Sequence, residues 1–375
     1  MRRWIMCLIA SLLCFNQHSA RAEALFFPIL APLTGFLSLE GTSQRNGALL
    51  ALEHAPKGME TTTEVIDTGV APEGAVTAFE RAAGRATITA ATASMLGVQM
   101  LALLPLAEER RVPLITVSGT AAITERGNRW VFRFFPGDAV TKRAHAQYVV
   151  EEMKRVRPAL ITQTTAYGQS GRLHLKANFA KFGVTPVFDE AIDPGVKDML
   201  PVLSRALEAT PDVLVLHLHS GPTALFVRQA AAFGKKLPIV AGSAMHQPST
   251  AALLEPAELQ NVCAETAASP ISGGSPEMEA FVAAYRARFK TDPDAFALGQ
   301  YDGVQMALKI AAFGSSAPET LRVALNEQTY QGLAMTYHSD GNGNMAHSAS
   351  IICYDGVSRT PKVVKRYSAN EQKSN

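Results

Sequence analysis

Short apolar runs alternate along this chain with amphipathic stretches of about 10–15 residues, and that alternation restricts the fold more than any other feature. The runs at 25–30, 63–67, 86–90, 113–117, 159–162, 184–188, 213–217 and 238–241 read as buried strands. Between them, 47–54, 73–83, 96–109, 140–155, 168–182, 199–209 and 223–233 read as helices. Strands separated by single helices build βαβ units and parallel sheets. The series is too long for one ordinary sheet. It breaks around 133–138, where Arg-Phe-Phe-Pro-Gly-Asp closes one run before the next opens. The expected fold is α/β, with two doubly wound parallel-sheet lobes. Helices at 277–289, 301–313 and 318–326 and strands around 335–338 and 350–354 follow, so the chain crosses between lobes more than once.

The length of 375 residues suits two such lobes, and 47% hydrophobic content gives each a core. Disordered, collagen-like and disulfide-stapled classes are excluded. Arg2 and Arg3 precede an apolar run from Trp4 to Phe15, and Ala20-Arg21-Ala22 places small residues where a signal peptidase inspects. That run is shorter than the roughly 20 residues of a membrane span. Residues 1–22 are expected to be a signal peptide cleaved after Ala22, leaving a soluble protein in the periplasm. Neither Cys7 nor Cys14 follows the small residue that lipid attachment needs. With Arg2, Arg3 and Arg21 removed, 32 basic residues face 33 acidic ones. A near-neutral chain has no basic field for nucleic acid or anionic lipid. Cys263 and Cys353 remain, at the ends of expected strands, and either a disulfide or two buried thiols fits the sequence.

Ligands of open parallel sheets bind beyond the carboxyl ends of strands, where helix N-termini present free N–H groups. The informative segments are 32–41, 92–97, 118–120, 164–167, 217–222 and 242–246. Several are rich in Ser, Thr and Gly, as a polar cradle for a carboxylate would be; the same residues also serve turns and helix caps. His217, His219 and His246 invite a metal reading, but no Cys-x-x-Cys, His-Glu-x-x-His or nearby carboxylate completes a site. Asp340-Gly-Asn342-Gly-Asn344 lacks the terminal Glu of a calcium loop and reads as a turn. No Gly-x-Ser-x-Gly elbow or phosphate loop is present. No catalytic residue, metal or cofactor is expected.

Five motifs in order resemble the type I periplasmic binding proteins, specifically the branched-chain amino-acid-binding class that serves ABC importers. They are Pro32-Leu-Thr-Gly35 with Gly41 and Gly47; Pro105-Leu-Ala-Glu108 with Val112-Pro-Leu-Ile115; Ala166-Tyr-Gly168; Tyr301-Asp302-Gly303; and Tyr330-Gln-Gly332 with His338-Ser-Asp-Gly-Asn342-Gly-Asn344. The resemblance spans about 25–367. It implies two lobes joined by three crossovers, near 135–140, 263–270 and 328–332, with the ligand cleft between them. Lobe 1 would comprise 23–138 plus 265–329, lobe 2 would comprise 139–264 plus 330–368, and 369–375 would be a tail.

The resemblance also implies a small carboxylate-bearing ligand, an amino acid or related organic or aromatic acid, trapped by lobe closure and passed by a monomer to an inner-membrane ABC permease. Ser118, Gly119 and Thr120 match the carboxylate-holding loop. Gly97 stands where relatives carry a serine, with Ser94 one turn earlier. Tyr167 and His219 match ligand-facing positions of the second lobe. The position of the acid that holds an α-ammonium in relatives is occupied by Ser243. Either the ligand lacks an ammonium or another acid serves, and Glu40, expected in a first-lobe loop, is the available candidate. Leu39, Met95 and Leu96 suit an apolar wall or core. The same fold also serves ligand sensors that signal to a receptor or enzyme partner, and the sequence leaves that alternative open.

Overall fold

The computed structural model describes residues 24–234, 237–314 and 316–368. The expected signal peptide and the tail at 369–375 lie outside these residues. The chain opens with β1 (Leu25–Phe26), β2 (Ile29–Ala31), α1 (Ser38–Glu53), β3 (Thr61–Thr62), β4 (Val65–Asp67) and α2 (Pro72–Arg85). It continues through β5 (Ala91–Thr92), α3 (Gly97–Arg110), β6 (Leu114–Thr116) and β7 (Val131–Arg133). A second series runs α4 (Asp138–Gln147), β8 (Pro158–Gln163), α5 (Ala166–Lys181), β9 (Phe188–Ile192), α6 (Leu200–Glu208) and β10 (Val213–His217). Then come α7 (Ser220–Ala232), β11 (Ile239–Ala241), α8 (Pro248–Ala251) and β12 (Val262–Thr266). The last part holds α9 (Pro276–Phe289), α10 (Ala295–Ala312), α11 (Pro318–Glu327), β13 (Tyr330–Gln331), β14 (Thr336–Tyr337), β15 (Ala349–Cys353) and β16 (Lys362–Tyr367).

Two main sheets result. The first is parallel, in the order β4-β2-β5-β6-β7. The second has the order β16-β15-β12-β11-β10-β8-β9. Its strands β8 to β12 are parallel, and β15 and β16 add an antiparallel edge. Each sheet is covered on both faces. Phe27, Ile29 and Phe132 pack under α1 and α10, while Leu30, Phe79 and Leu103 fill the opposite face. In the second sheet Leu214, Leu216 and Phe226 form one layer, and Leu160, Val215 and Phe179 the other.

The order of each sheet reverses at one point. Strand β2 has β4 on one side and β5 on the other, and β8 has β9 on one side and β10 on the other. At such a point the loops leaving adjacent strands diverge and leave a crevice.

Several elements differ from expectation for identifiable reasons. Helix α1 starts at Ser38 and not at Gly47, so Glu40 lies on a helix and not in a loop. Gly41 and Gly47 act as points of close approach. A Cβ at Gly41 would lie 1.9 Å from the Pro32 carbonyl oxygen, and one at Gly47 would lie 2.1 Å from that of Ala297. Helix α10 likewise begins before Tyr301, capped by Asp294, whose carboxylate accepts from the Ala297 N–H. Helix α7 begins at Ser220, with Pro222 accommodated in its first turn. Strand β9 lies later than the apolar run at 184–188, because Asp189 and Glu190 are held by Arg172, Lys176 and Arg205 along an edge.

The second crossover follows β12, which remains in the second sheet through Thr266. The third falls later than 328–332. Tyr337, Met345 and Ala346 pack with Ile29, Phe132 and Phe134 of the first sheet. Asp302 of α10 holds this hairpin, accepting from the N–H groups of Leu333 and Ala334 and from the Tyr337 hydroxyl. The chain enters the second sheet only at Ala349. There Cys353 lies opposite Cys263 in the antiparallel β12–β15 register, and the two are joined by a disulfide.

Candidate functional site

The carboxyl ends of the two sheets face each other, and a small cavity of about 20 Å³ lies between them. Its polar lining comes from Glu40, Gly119, Tyr167, His219 and Ser243, and its apolar lining from Leu37, Met95, Phe135, Ala244 and Phe296. Five of the residues expected from sequence therefore meet at one place, although they come from α1, three strand-end loops and the first turn of α5.

Local structure explains each placement. Thr165 caps α5, its hydroxyl accepting from the Gly168 N–H, which sets Tyr167 in the first turn. The absence of a side chain at Gly171 lets His217 pack against α5, where a Cβ would lie 2.1 Å from the imidazole. The His217 ring contacts Tyr167, centroids 3.9 Å apart, and His219 stacks on the same tyrosine at 5.0 Å. The backbone N–H of His219 donates to Gln163 Oε1. Of the three histidines of the metal reading, His217 and His219 share Tyr167, while His246 accepts from the Ala295 N–H. No cluster able to hold a metal ion occurs among the described residues.

Ser118 and Thr120 do not line the cavity but flank Gly119, and both are buried. Arg133 supports this loop from behind, donating to the Thr120 carbonyl at 2.8 Å and to the Thr124 hydroxyl. Gly97 also lies off the cavity. It opens α3, and a Cβ there would stand 2.1 Å from Thr120 Oγ1. The threonine hydroxyl occupies the space that a side chain at 97 would need. Of the apolar candidates, Met95 lines the cavity while Leu96 belongs to the core beneath it.

Sequence reasoning missed a buried charge cluster behind Ser243. Glu265 of β12 pairs with Lys142 and His145 of α4, and its Oε1 accepts from the Ser243 hydroxyl at 3.2 Å. Asp138 lies 3.7 Å from Lys142, and its N–H donates to the Gly119 carbonyl. The spacing of Asp138 and Lys142, i and i+4 on a helix, was the available signal. Burial pushes the Lys142 ammonium down to about 8 despite Asp138 beside it. Burial likewise raises the Asp138 and Glu40 carboxyls and drops His219 to about 3, so His219 is neutral.

Glu40 spans the gap between the two halves. Its Oε1 accepts from the Ser220 N–H at 2.9 Å and lies 2.6 Å from the Ser220 hydroxyl, at the N-terminus of α7. Among the described residues, buried polar atoms without a hydrogen-bond partner concentrate around this cavity. They include Glu40 Oε2, Ser118 Oγ, Thr120 Oγ1, Asp138 Oδ2 and His219 Nε2. An unpaired buried polar atom costs about 1–3 kcal/mol; Glu40 and His219 are the two lining residues that carry one. A larger hollow of about 870 Å³ lies elsewhere, around Leu25, Glu60, Thr89 and Pro318, and none of the five converging residues reaches it.

A family profile described as periplasmic binding protein matches residues 25–355. The chain is 27% identical over 223 residues to the Leu/Ile/Val-binding protein BraC3 of Rhizobium johnstonii, a match covering 58% of this chain and 60% of that relative. It is 22% identical to the leucine-, isoleucine-, valine-, threonine- and alanine-binding protein of Pseudomonas aeruginosa, covering 84% of this chain and 86% of the relative. Among solved structures, the leucine-binding protein LivK of Thermotoga maritima superposes with a TM-score of 0.83 at 22% identity, covering 93% of this chain and all of that one. An ABC-transporter solute-binding protein of R. palustris, in complex with 4-hydroxybenzoate, gives 0.82 at 16% identity, covering 92% and 97%. These structural likenesses establish the fold.

Proposed function

The chain belongs to the periplasmic binding protein family, and from that premise we propose that it is the solute-binding component of an ABC importer. In this reading it captures a small carboxylate-bearing ligand in the periplasm by closing two lobes over it. It then delivers the ligand, as a monomer, to an inner-membrane permease. Lobe 1 comprises residues 24–138 and the segment after β12 through 346; lobe 2 comprises 139–266 and 349–368.

One observation supports the reading: residues from both sheets converge on one cavity, and two of them, Glu40 and His219, carry a buried polar atom without a partner among the described residues. The Ser118 and Thr120 hydroxyls and the amides around Gly119 have the donor chemistry to hold a carboxylate. Gly97, at the start of α3, leaves room for the Thr120 hydroxyl. Tyr167 and His219, stacked on each other, would cover the ligand from the second lobe, with Ser243 as a neutral neighbour. Enclosure lowers the local dielectric and strengthens each of these hydrogen bonds.

Calorimetric titration of unfolded, dialysed and refolded protein with amino acids, aliphatic acids and aromatic acids tests the proposal. Saturable binding of at least one carboxylate-bearing compound is expected. Absence of binding across the panel contradicts it.

A further inference from the structure

Arg133 ends β7 and is 3% exposed, yet it forms no ion pair among the described residues. Its guanidinium is spent on neutral oxygens. Nη1 donates to the Thr120 carbonyl at 2.8 Å and lies 3.5 Å from that of Ser118. Nη2 donates to the Thr124 hydroxyl at 2.8 Å, and Nε and Nη2 both donate to Asn344 Oδ1. Gly137 leaves room for the group, since a Cβ there would lie 2.4 Å from Nη2. The acids around it are engaged elsewhere or solvated. Asp138 has Lys142 3.7 Å away, and Glu125 is exposed. Asp340 accepts from the Asn342 and Asn344 N–H groups and from Asn344 Nδ2. Burial pulls the guanidinium down to about 10 against these three acids, so it is charged at neutral pH.

A buried charge without a partner is costly, and the setting of Arg133 shows where an offsetting charge belongs. In a trans peptide the C=O and N–H point opposite ways. Turning the Thr120 carbonyl onto Arg133 aims the Ala121 N–H away from it, and that N–H meets Ser170 Oγ of α5 at 3.0 Å. The Ser118 carbonyl, facing the same nitrogen, aims the Gly119 N–H away in the same sense, on the side where Gly119 lines the cavity. Backbone bonds fix the arrangement from the other side: the Arg133 N–H donates to the Gly343 carbonyl, and the Met345 N–H donates to that of Arg133. The Asp340–Asn344 turn thus sets an amide, not an acid, against the guanidinium.

We infer that Arg133 is a positioning residue of the ligand site: from behind the 118–120 loop it turns that loop's amides toward the cavity, and its charge is the counter-charge of the ligand's carboxylate. The inference rests on the solute-binding reading and adds to it a cation that touches no ligand. The anion meets hydroxyls and N–H groups, with the guanidinium one peptide layer behind them. Asn344 orients that guanidinium without neutralising it.

Moving one carboxylate tests this without changing the net charge. In the exchange Asp340→Asn with Asn344→Asp, an amide and an acid trade places, and the acid now lies against Arg133. Arg133→Gln, which drops the charge and keeps an N–H donor for the Thr120 carbonyl, is the second variant. Calorimetry at neutral pH compares both with wild type, each shown by thermal unfolding to be folded. The probes are matched pairs: propanoate with propanamide, 4-hydroxybenzoate with 4-hydroxybenzamide, and leucine with leucinamide. Wild type is expected to prefer the carboxylate member of a pair. Both variants are expected to weaken that member by about 10–50-fold, the effect of a unit charge about 7 Å away at an effective dielectric of about 20, and to leave the carboxamide member unchanged. A merely structural Arg133 would not distinguish the members.

Equal losses on both members, or unchanged carboxylate affinity, overturns the counter-charge role and leaves carboxylate capture standing. Equal wild-type affinity within every pair overturns the carboxylate grip and this inference with it. No binding by any probe overturns the solute-binding reading as well.

Discussion

At the residue scale, the site depends on a few positions where one atom more or less decides the geometry. Thr120 is the clearest. Its buried hydroxyl lacks a partner and lies in the space above Gly97. Thr120→Val should weaken ligand binding by about 1–3 kcal/mol, read by calorimetry; unchanged affinity would remove the 118–120 loop from the site. Gly97→Ala should produce a loss of similar size, because its Cβ would collide with Thr120 Oγ1 and Cβ. The two losses should be non-additive in a double-mutant cycle, since both act through one hydroxyl. Gly119, Tyr167, His219 and Ser243 fall in the segments after strands that the sequence singles out, and all four line the cavity; their expected roles came from the family resemblance. Glu40 was visible as a residue but not as a place. Gly47 read as the start of the helix, whereas Gly41 and Gly47 both lie inside α1 and each removes a side chain so that backbones can touch. Phe135 and Phe296 carried no signal, since an aromatic lining a cavity and one buried in a core look alike in sequence.

At the element scale, the regular βαβ units followed from the apolar rhythm, while strands stabilised by charge or by distant partners did not. Strand β9 is an ion-paired edge, and β16 alternates exposed and half-buried residues against β15 before the buried Tyr367. The β12–β15 pair is cross-linked, and the sequence left that open because it does not set strand register. The Cys263–Cys353 bridge closes a loop with a sequence separation of 90. Cys263→Ser with Cys353→Ser should lower unfolding free energy by roughly 2–5 kcal/mol, measured by urea denaturation under non-reducing conditions. A change within error would show that the bridge contributes little to stability.

Helix α10 makes a separate prediction through Asp302, whose carboxyl is pushed up to about 6 by burial, against the hydrogen bonds it accepts. Its folded-state value lies above the unfolded one, so the folded protein binds the proton more tightly. The stability this supplies is fully present below the unfolded value near 4 and is lost as pH rises through about 6. Wild type should therefore gain on Asp302→Asn as pH falls from about 7 to about 4, seen as a widening difference in Tm. A pH-independent difference would contradict the assignment.

At the scale of the whole molecule, two lobes were legible because the alternation outruns one sheet and the motifs fall in family order. The crossovers were less legible. Tyr330-Gln-Gly332 marks a hairpin that continues to pack on the first sheet, and only the burial of Tyr337 and Met345 beside Phe132 and Phe134 places the last crossing beyond 346. The Lys142–Glu265 pair ties the start of α4, just past the first crossover, to β12, just before the second. Lys142→Met would leave Glu265 buried beside a histidine held neutral, and should cost about 3–5 kcal/mol by urea denaturation. A near-neutral effect would mean that the pair is not needed to brace the joint.

The central claim, that a small acid is held between the lobes, is tested most directly by a crystal structure of the protein grown with the carboxylate-bearing compound it binds most tightly. The account predicts ligand density between the sheets, its carboxylate against residues 118–120 and its body beneath Tyr167 and His219. Density confined to the hollow around Leu25 and Pro318, with the interlobe cavity unfilled, would contradict it.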